Sequence, residues 1–157
     1  MNGPPPIPPM AALPINQRNV DEDHLNLLAI FHFVIAAMTL LGILFLFAHY
    51  AMMHFIFTNP DIWKDQKGGP PPEAIFSIFI IFYIIAGAIL VVIGVMNVMS
   101  GLFIRVRKNR TFSLVVAGID CLQFPFGTIL GVFTFVVLFR ESVTAIYERA
   151  ALRSPSI

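Results

Sequence analysis

Two long apolar runs set the pattern of this chain. Residues 25–57 and residues 74–104 contain no Asp, Glu, Lys or Arg. As a helix the first run would be roughly 50 Å long, against a hydrocarbon core of ~30 Å. It must therefore tilt, or carry its 49–57 end into the interface. There His49, Tyr50, His54 and the nearby Trp63 would form an amphipathic belt. Asp21, Glu22 and Asp23 stand just before the run, where acidic residues suit a helix N-terminus and Asp21 or Asp23 can serve as N-cap. Ahead of them Pro4, Pro5, Pro6, Pro8, Pro9 and Pro14 favour extended chain, so residues 1–23 are expected to be a flexible tail. Residues 58–72 read as a loop punctuated by Asn59-Pro60 and Gly68-Gly69-Pro70. Glu73 then fits the first turn of the second long helix.

A third apolar stretch, residues 111–139, is interrupted by Asp120, Gln123, Pro125, Gly127 and Thr128. Read as one kinked helix, it makes three spans. The basic residues then divide evenly: Arg18, Arg105, Arg107, Lys108 and Arg110 on one side, Lys64, Lys67, Arg140, Arg149 and Arg153 on the other. Read as a hairpin with arms 111–123 and 126–139, it returns to its own side, and only Lys64 and Lys67 lie opposite. The positive-inside rule prefers the hairpin. Length objects, because each arm is short of the ~20 residues that a span needs. A re-entrant pair of shorter helices joined at Pro125, sheltered by the two long helices, meets both constraints. The expected fold class is thus all-α integral membrane. One helical domain over residues 24–149 is followed by a C-terminal tail, 150–157, in which a surface helix around Arg149 frays.

Composition agrees with lipid as the solvent. Hydrophobic residues make up 57% and charged residues 12%, and there are sixteen Phe, far from a soluble domain's balance. A net charge of +1 gives no field for nucleic acid. The lone Cys121 excludes an intrachain disulfide and a thiolate metal cage. The N-terminus has no basic stretch of the signal-peptide kind, so the first run is expected to act as an uncleaved anchor. Gly87, Gly94 and Gly101 recur every seven residues, and Gly127 and Gly131 form a GxxxG. Small residues so spaced let helix backbones approach in membranes, and these five are the expected packing positions. The basic loop of Arg105, Arg107, Lys108 and Arg110 is expected in the cytoplasm with the N-terminus. A role as an anionic-lipid site competes with topology as its reason.

Few residues carry chemistry. Asp120 is the sole carboxylate within an apolar segment. If helical, it lies about 15 Å from Arg110 along the axis, a depth that His32 and Asn97 would share. His32, Asn97, Asp120, Gln123 and Thr128 thus form a candidate intramembrane polar cluster. It reads either as a hydrogen-bonded clasp that fixes helix register or as a proton or ion pathway. His49 and His54 are five apart, off a shared helical face, and neither HxxxH nor CxxC is present, so no metal site is expected. Without a phosphate loop, a Ser–His–Asp ordering or an HExxH, neither a cofactor nor catalysis is expected.

Pro125-Phe-Gly-Thr-Ile-Leu-Gly-Val-Phe-Thr134 resembles a PxGTxLGxY/F pattern found near the C-terminus of many small, uncharacterised bacterial membrane proteins. His24-Leu-Asn-Leu-Leu-Ala-Ile-Phe-His32-Phe33 is similar to the opening of one such group. The resemblance covers about a third of the chain and implies a multi-pass protein of the bacterial inner membrane, with no implied activity. The expected function is a non-catalytic structural or accessory subunit that packs with itself or within a larger membrane complex. The alternative is a small transporter, channel or proton-conducting element centred on Asp120. Signalling through the proline-rich tail is a third, weaker reading.

Overall fold

A computed structural model describes residues 15–64, 68–69 and 73–153. Six helices follow in order: α1 (Ile15–Thr58), α2 (Pro60–Trp63), α3 (Glu73–Arg105), α4 (Arg110–Asp120), α5 (Phe126–Leu138) and α6 (Glu141–Arg153). The described residues contain no strand. Both α1, over Asn19–Thr58, and α3 are long and apolar enough to cross a membrane. They divide into two compact units: residues 31–101 form one, and residues up to 30 with those from 102 onward form the other.

Three boundaries differ from expectation. Residues 15–23, assigned to a flexible tail, are helical. Pro14 is the last proline of the tail, so from Ile15 onward nothing in the sequence forbids a helix. Asp21 and Asp23 consequently lie inside α1 and cannot cap it. The rest of the proline-rich tail, residues 1–14, lies outside the described residues. At the other end helix continues through Arg153, past the start assigned to the C-terminal tail, and residues 154–157 are again outside. Within the expected 58–72 loop, Asn59 caps the single turn α2 by accepting from the Asp61 backbone N–H at 3.0 Å.

In the 31–101 unit, α1 and α3 pack antiparallel. Contacts step down one helix as they step up the other: His32 with Asn97, Thr39 with Gly94, Leu46 with Gly87, His49 with Tyr83 and Phe57 with Phe76. Gly87 and Gly94 face α1, yet the approach there is not close. A Cβ on Gly87 would meet Leu46 Cδ2 at 3.7 Å, and one on Gly94 would meet Thr39 Cγ2 at 3.5 Å. Both are ordinary contacts. Toward the C-terminal end of α1, Tyr50, His54, Phe57, Phe76, Phe79 and Tyr83 form a chain of ring contacts. The Trp63 indole N–H donates to Ile56 O at 2.9 Å and closes the turn below it.

In the other unit, α4 and α5 run antiparallel as a tight hairpin. A Cβ on Gly127 would lie 2.5 Å from Asp120 O, and one on Gly131 would lie 2.4 Å from Ala117 O. At the open end of the hairpin the Arg110 guanidinium stands 5.9 Å over the Phe139 ring. The connection, residues 121–125, contains a cis peptide between Phe124 and Pro125. Phe139 and Arg140 then turn the chain, so that α6 leaves α5 at 73°. The core of this unit holds Leu25, Leu28, Ile104, Val116, Val137, Leu138 and Val143, all fully buried.

The two glycine pairs should therefore respond differently to alanine. Gly131→Ala places a methyl against backbone and the Cys121 Sγ, which cannot yield without parting α4 from α5. The expected loss is about 1–3 kcal/mol, the ordinary cost of overpacking. Gly87→Ala meets only a leucine methyl at contact distance and should stay within about 0.5 kcal/mol of the parent. Detergent-denaturation midpoints of the two purified variants measure the difference.

Candidate functional site

The polar residues of the apolar helices are hydrogen-bonded within the protein. His32 is fully buried on α1. The Asn97 Nδ2 donates to Ile93 O at 3.2 Å, which turns its Oδ1 toward the ring. His32 Nδ1–H then donates to Asn97 Oδ1 at 2.9 Å. The Ser100 hydroxyl lies 3.4 Å from the other ring nitrogen, Nε2. Asn97 and Ser100 are three apart on α3, one turn of the same face, so a single imidazole answers both. The arrangement bridges α1 and α3.

Asp120, Gln123 and Thr128 occupy the α4–α5 turn. Asp120 is fully buried, and its Oδ1 accepts from Gln123 Nε2 at 3.1 Å. The Thr128 hydroxyl donates to Cys121 O at 2.9 Å and so satisfies a carbonyl released where α4 ends. Of the five residues of the expected cluster, His32 is bonded to Asn97, and Asp120 to Gln123, with Thr128 on the same α4–α5 turn.

Sequence reasoning missed a third set. Asp21 on α1 is 2% exposed, and its Oδ1 accepts from Arg140 Nη1 at 3.4 Å. The same nitrogen donates to His24 Nδ1 at 3.1 Å. The His24 ring stands edge-on to Phe133 of α5, with centroids 6.4 Å apart. This latch fastens the start of α1 to the α5–α6 junction. The available signal was the isolated Arg140 at the end of an apolar arm, opposite in charge to the acids before α1. The reading of those acids as caps concealed it. Ser100, and the 2.5 Å bond between His49 Nδ1 and the Tyr83 hydroxyl, were also not anticipated.

The basic loop is folded back on itself. Arg107 and Asn109 adopt left-handed backbone, with φ of 55° and 48°. Asparagine tolerates that region better than arginine does. Arg107 Nη1 donates to Ile104 O at 3.2 Å and Arg105 O at 2.8 Å, placing its charge at the negative end of α3. Arg105 and Lys108 are exposed, whereas Arg110 is half-buried. Tyr147 of α6 is buried, and its burial pushes the phenol up from 10.0 to about 12 although Arg107 and Arg110 both pull it down. Among the described residues, no group of three or more His, Cys, Asp or Glu is placed to hold a metal ion.

A groove between α1 and α3 is lined by Ala36, Ala37, Leu40, Val91, Val95 and Val98, among others. Thr39 is its one polar side chain, and its hydroxyl is turned back to Ile35 O at 2.9 Å. Such a lining offers nothing to orient a polar substrate. Comparison with protein-family models, with curated proteins and with solved structures finds no match to this chain.

The His32–Asn97 bond should be measurable as a coupling. His32→Leu leaves the Asn97 amide oxygen buried without its donor, at an expected cost of about 1–3 kcal/mol. Asn97→Leu strands the ring similarly. The double variant should recover roughly 1 kcal/mol of the summed loss, read by a double-mutant cycle on detergent unfolding. Strict additivity would mean that the two side chains do not depend on each other.

Proposed function

We propose that this chain is an integral membrane protein of the bacterial cytoplasmic membrane, and that it serves as a non-catalytic structural or accessory subunit. The observation that carries the reading is the exposed apolar surface of the long helices. In the apolar window of α3 only 6% of the residues are buried, and in that of α1 33%. Phe45, Phe47, Ile78 and Ile84 are each about two-thirds exposed or more (66–72%). A water-soluble protein does not leave faces of this extent open. Lipid or apolar protein covers them at no cost in solvation.

In this reading α1 and α3 span the bilayer, and the α4–α5 hairpin enters from the side of the basic loop and returns to it. The close contact of α4 with α5 supports a return rather than a third crossing. α6, which carries Arg149 and packs Tyr147 near Arg107 and Arg110, lies along the surface on that same side. The positive-inside rule makes that side cytoplasmic. Inside the long helices, His32, Thr39, His49 and Asn97 bond to one another, to a facing hydroxyl or to nearby backbone, as a membrane interior demands. Arranged as clasps between or within helices, they favour a packing role. The resemblance of residues 125–134 to a pattern of small bacterial membrane proteins is in keeping with it.

A proton-conducting element centred on Asp120 is the second reading, favoured by one observation: a fully buried carboxylate within the hairpin. The two are separated by purification from native membranes in mild detergent, followed by mass analysis. The subunit reading expects co-purification of a stoichiometric membrane partner or a defined homo-oligomer, with vesicles that carry no pH-driven flux. Flux that is lost in Asp120→Asn, in a protein that still accumulates normally, would replace it with the conducting element.

A further inference from the structure

Hydrogen-bond accounting beside the basic loop leaves donors over. Arg110 Nε, Ser113 Oγ and Tyr147 Oη are buried and bond to no group among the described residues. Ser113 is fully buried and Tyr147 is 7% exposed, so neither is answered by open solvent. Buried polar groups are nearly always satisfied, and three unanswered donors in one neighbourhood ask for an acceptor.

The three belong to one place. Arg110 and Ser113 are three apart in the first turn of α4 and share a face. Tyr147 comes from α6, near enough to the guanidinium groups of both Arg107 and Arg110 to feel their charge. Its phenol is protonated at neutral pH, hence a donor. The helix start is open as well. Asn109 stands at the N-cap in left-handed backbone and offers no side-chain bond, leaving the positive end of the α4 dipole uncapped. Cation, hydroxyls and helix terminus thus all present positive charge or protons, and no carboxylate opposes them in this group.

We propose that Arg110, Ser113, Tyr147 and the N-terminus of α4 bind a phosphate group, supplied by a phospholipid headgroup. A phosphate has the acceptor oxygens that all these donors lack, and a guanidinium meets it in charge-assisted bonds. The lipid as its source rests on the membrane reading above; the phosphate chemistry does not. Bound there, a headgroup would tie α6 to α4 and hold the surface helix against the hairpin.

The test uses the full chain, purified and delipidated in an uncharged detergent. Phosphatidylglycerol, a phosphate-free diacylglycerol and inorganic phosphate are titrated separately, with thermal unfolding as readout. Phosphatidylglycerol should raise Tm saturably, and diacylglycerol should not. Tyr147→Phe and Ser113→Ala should each weaken the half-saturating lipid concentration about tenfold, the worth of one charge-assisted bond. Neither should destabilise the lipid-free protein, because each removes an unanswered hydroxyl. That control separates loss of binding from loss of fold. Stabilisation by inorganic phosphate alone, sensitive to the same variants, would support the site with a soluble phosphate as its source. Equal response of parent, Tyr147→Phe and Ser113→Ala to phosphatidylglycerol would overturn the proposal. So would equal stabilisation by diacylglycerol.

Discussion

Everything at the C-terminal end of this molecule depends on how closely α4 and α5 approach. At Gly127 and Gly131 there is no space for even one carbon beyond the backbone. That approach gives the turn partners it would otherwise lack. Thr128 reaches Cys121 O because Gly127 lets α5 lie against the end of α4. Gln123 folds over Asp120 in the same turn. The hairpin in turn sets where Arg140 emerges. It emerges against Asp21 and His24, closing the start of α1 onto the α5–α6 junction. A larger side chain at either glycine would loosen not one contact but the sequence of contacts that follows from it.

The long helices obey a different economy. Their mutual contact relies little on close backbone approach, since Gly87 and Gly94 stand at ordinary distance from α1. It relies instead on bonded pairs, His32 with Asn97 and His49 with Tyr83, set along an otherwise apolar seam. In lipid the hydrophobic effect does not distinguish one apolar face from another, so polar pairs and shape supply register. A chain built this way has polar groups occupied with holding itself together and apolar faces free for neighbours. That division is what makes an accessory role in a membrane assembly the natural reading, and it leaves the basic loop, with its unanswered donors, as the place where the molecule meets something polar.

Much of the architecture was legible because it follows from uninterrupted apolar length. The α3 bounds, Glu73–Arg105, lie within a residue of those read from the apolar run and its flanking charges. The break near Pro125 was visible as a cluster of polar and small residues. The start of α1 was not, because proline density ahead of Asp21 masked six helical residues after Pro14. The glycines illustrate a further limit. Spacing alone marked Gly87 and Gly131 alike as packing positions, and only three-dimensional distance separates a glycine that is convenient from one that is required. Asp21 shows the same limit for charge: an acid before an apolar run fits a cap, and its pairing with Arg140, 119 positions away, has no local signature.

In the proposed membrane arrangement, the side on which α6 lies decides between a returning hairpin and a third span. Cysteines placed singly at Lys64, Lys108 and Glu148, in a chain with Cys121→Ala, can be labelled with a membrane-impermeant maleimide in intact cells and again after lysis. A hairpin predicts that positions 108 and 148 are labelled only after lysis, while position 64 is labelled in intact cells. Labelling of position 148 together with position 64 in intact cells would contradict it.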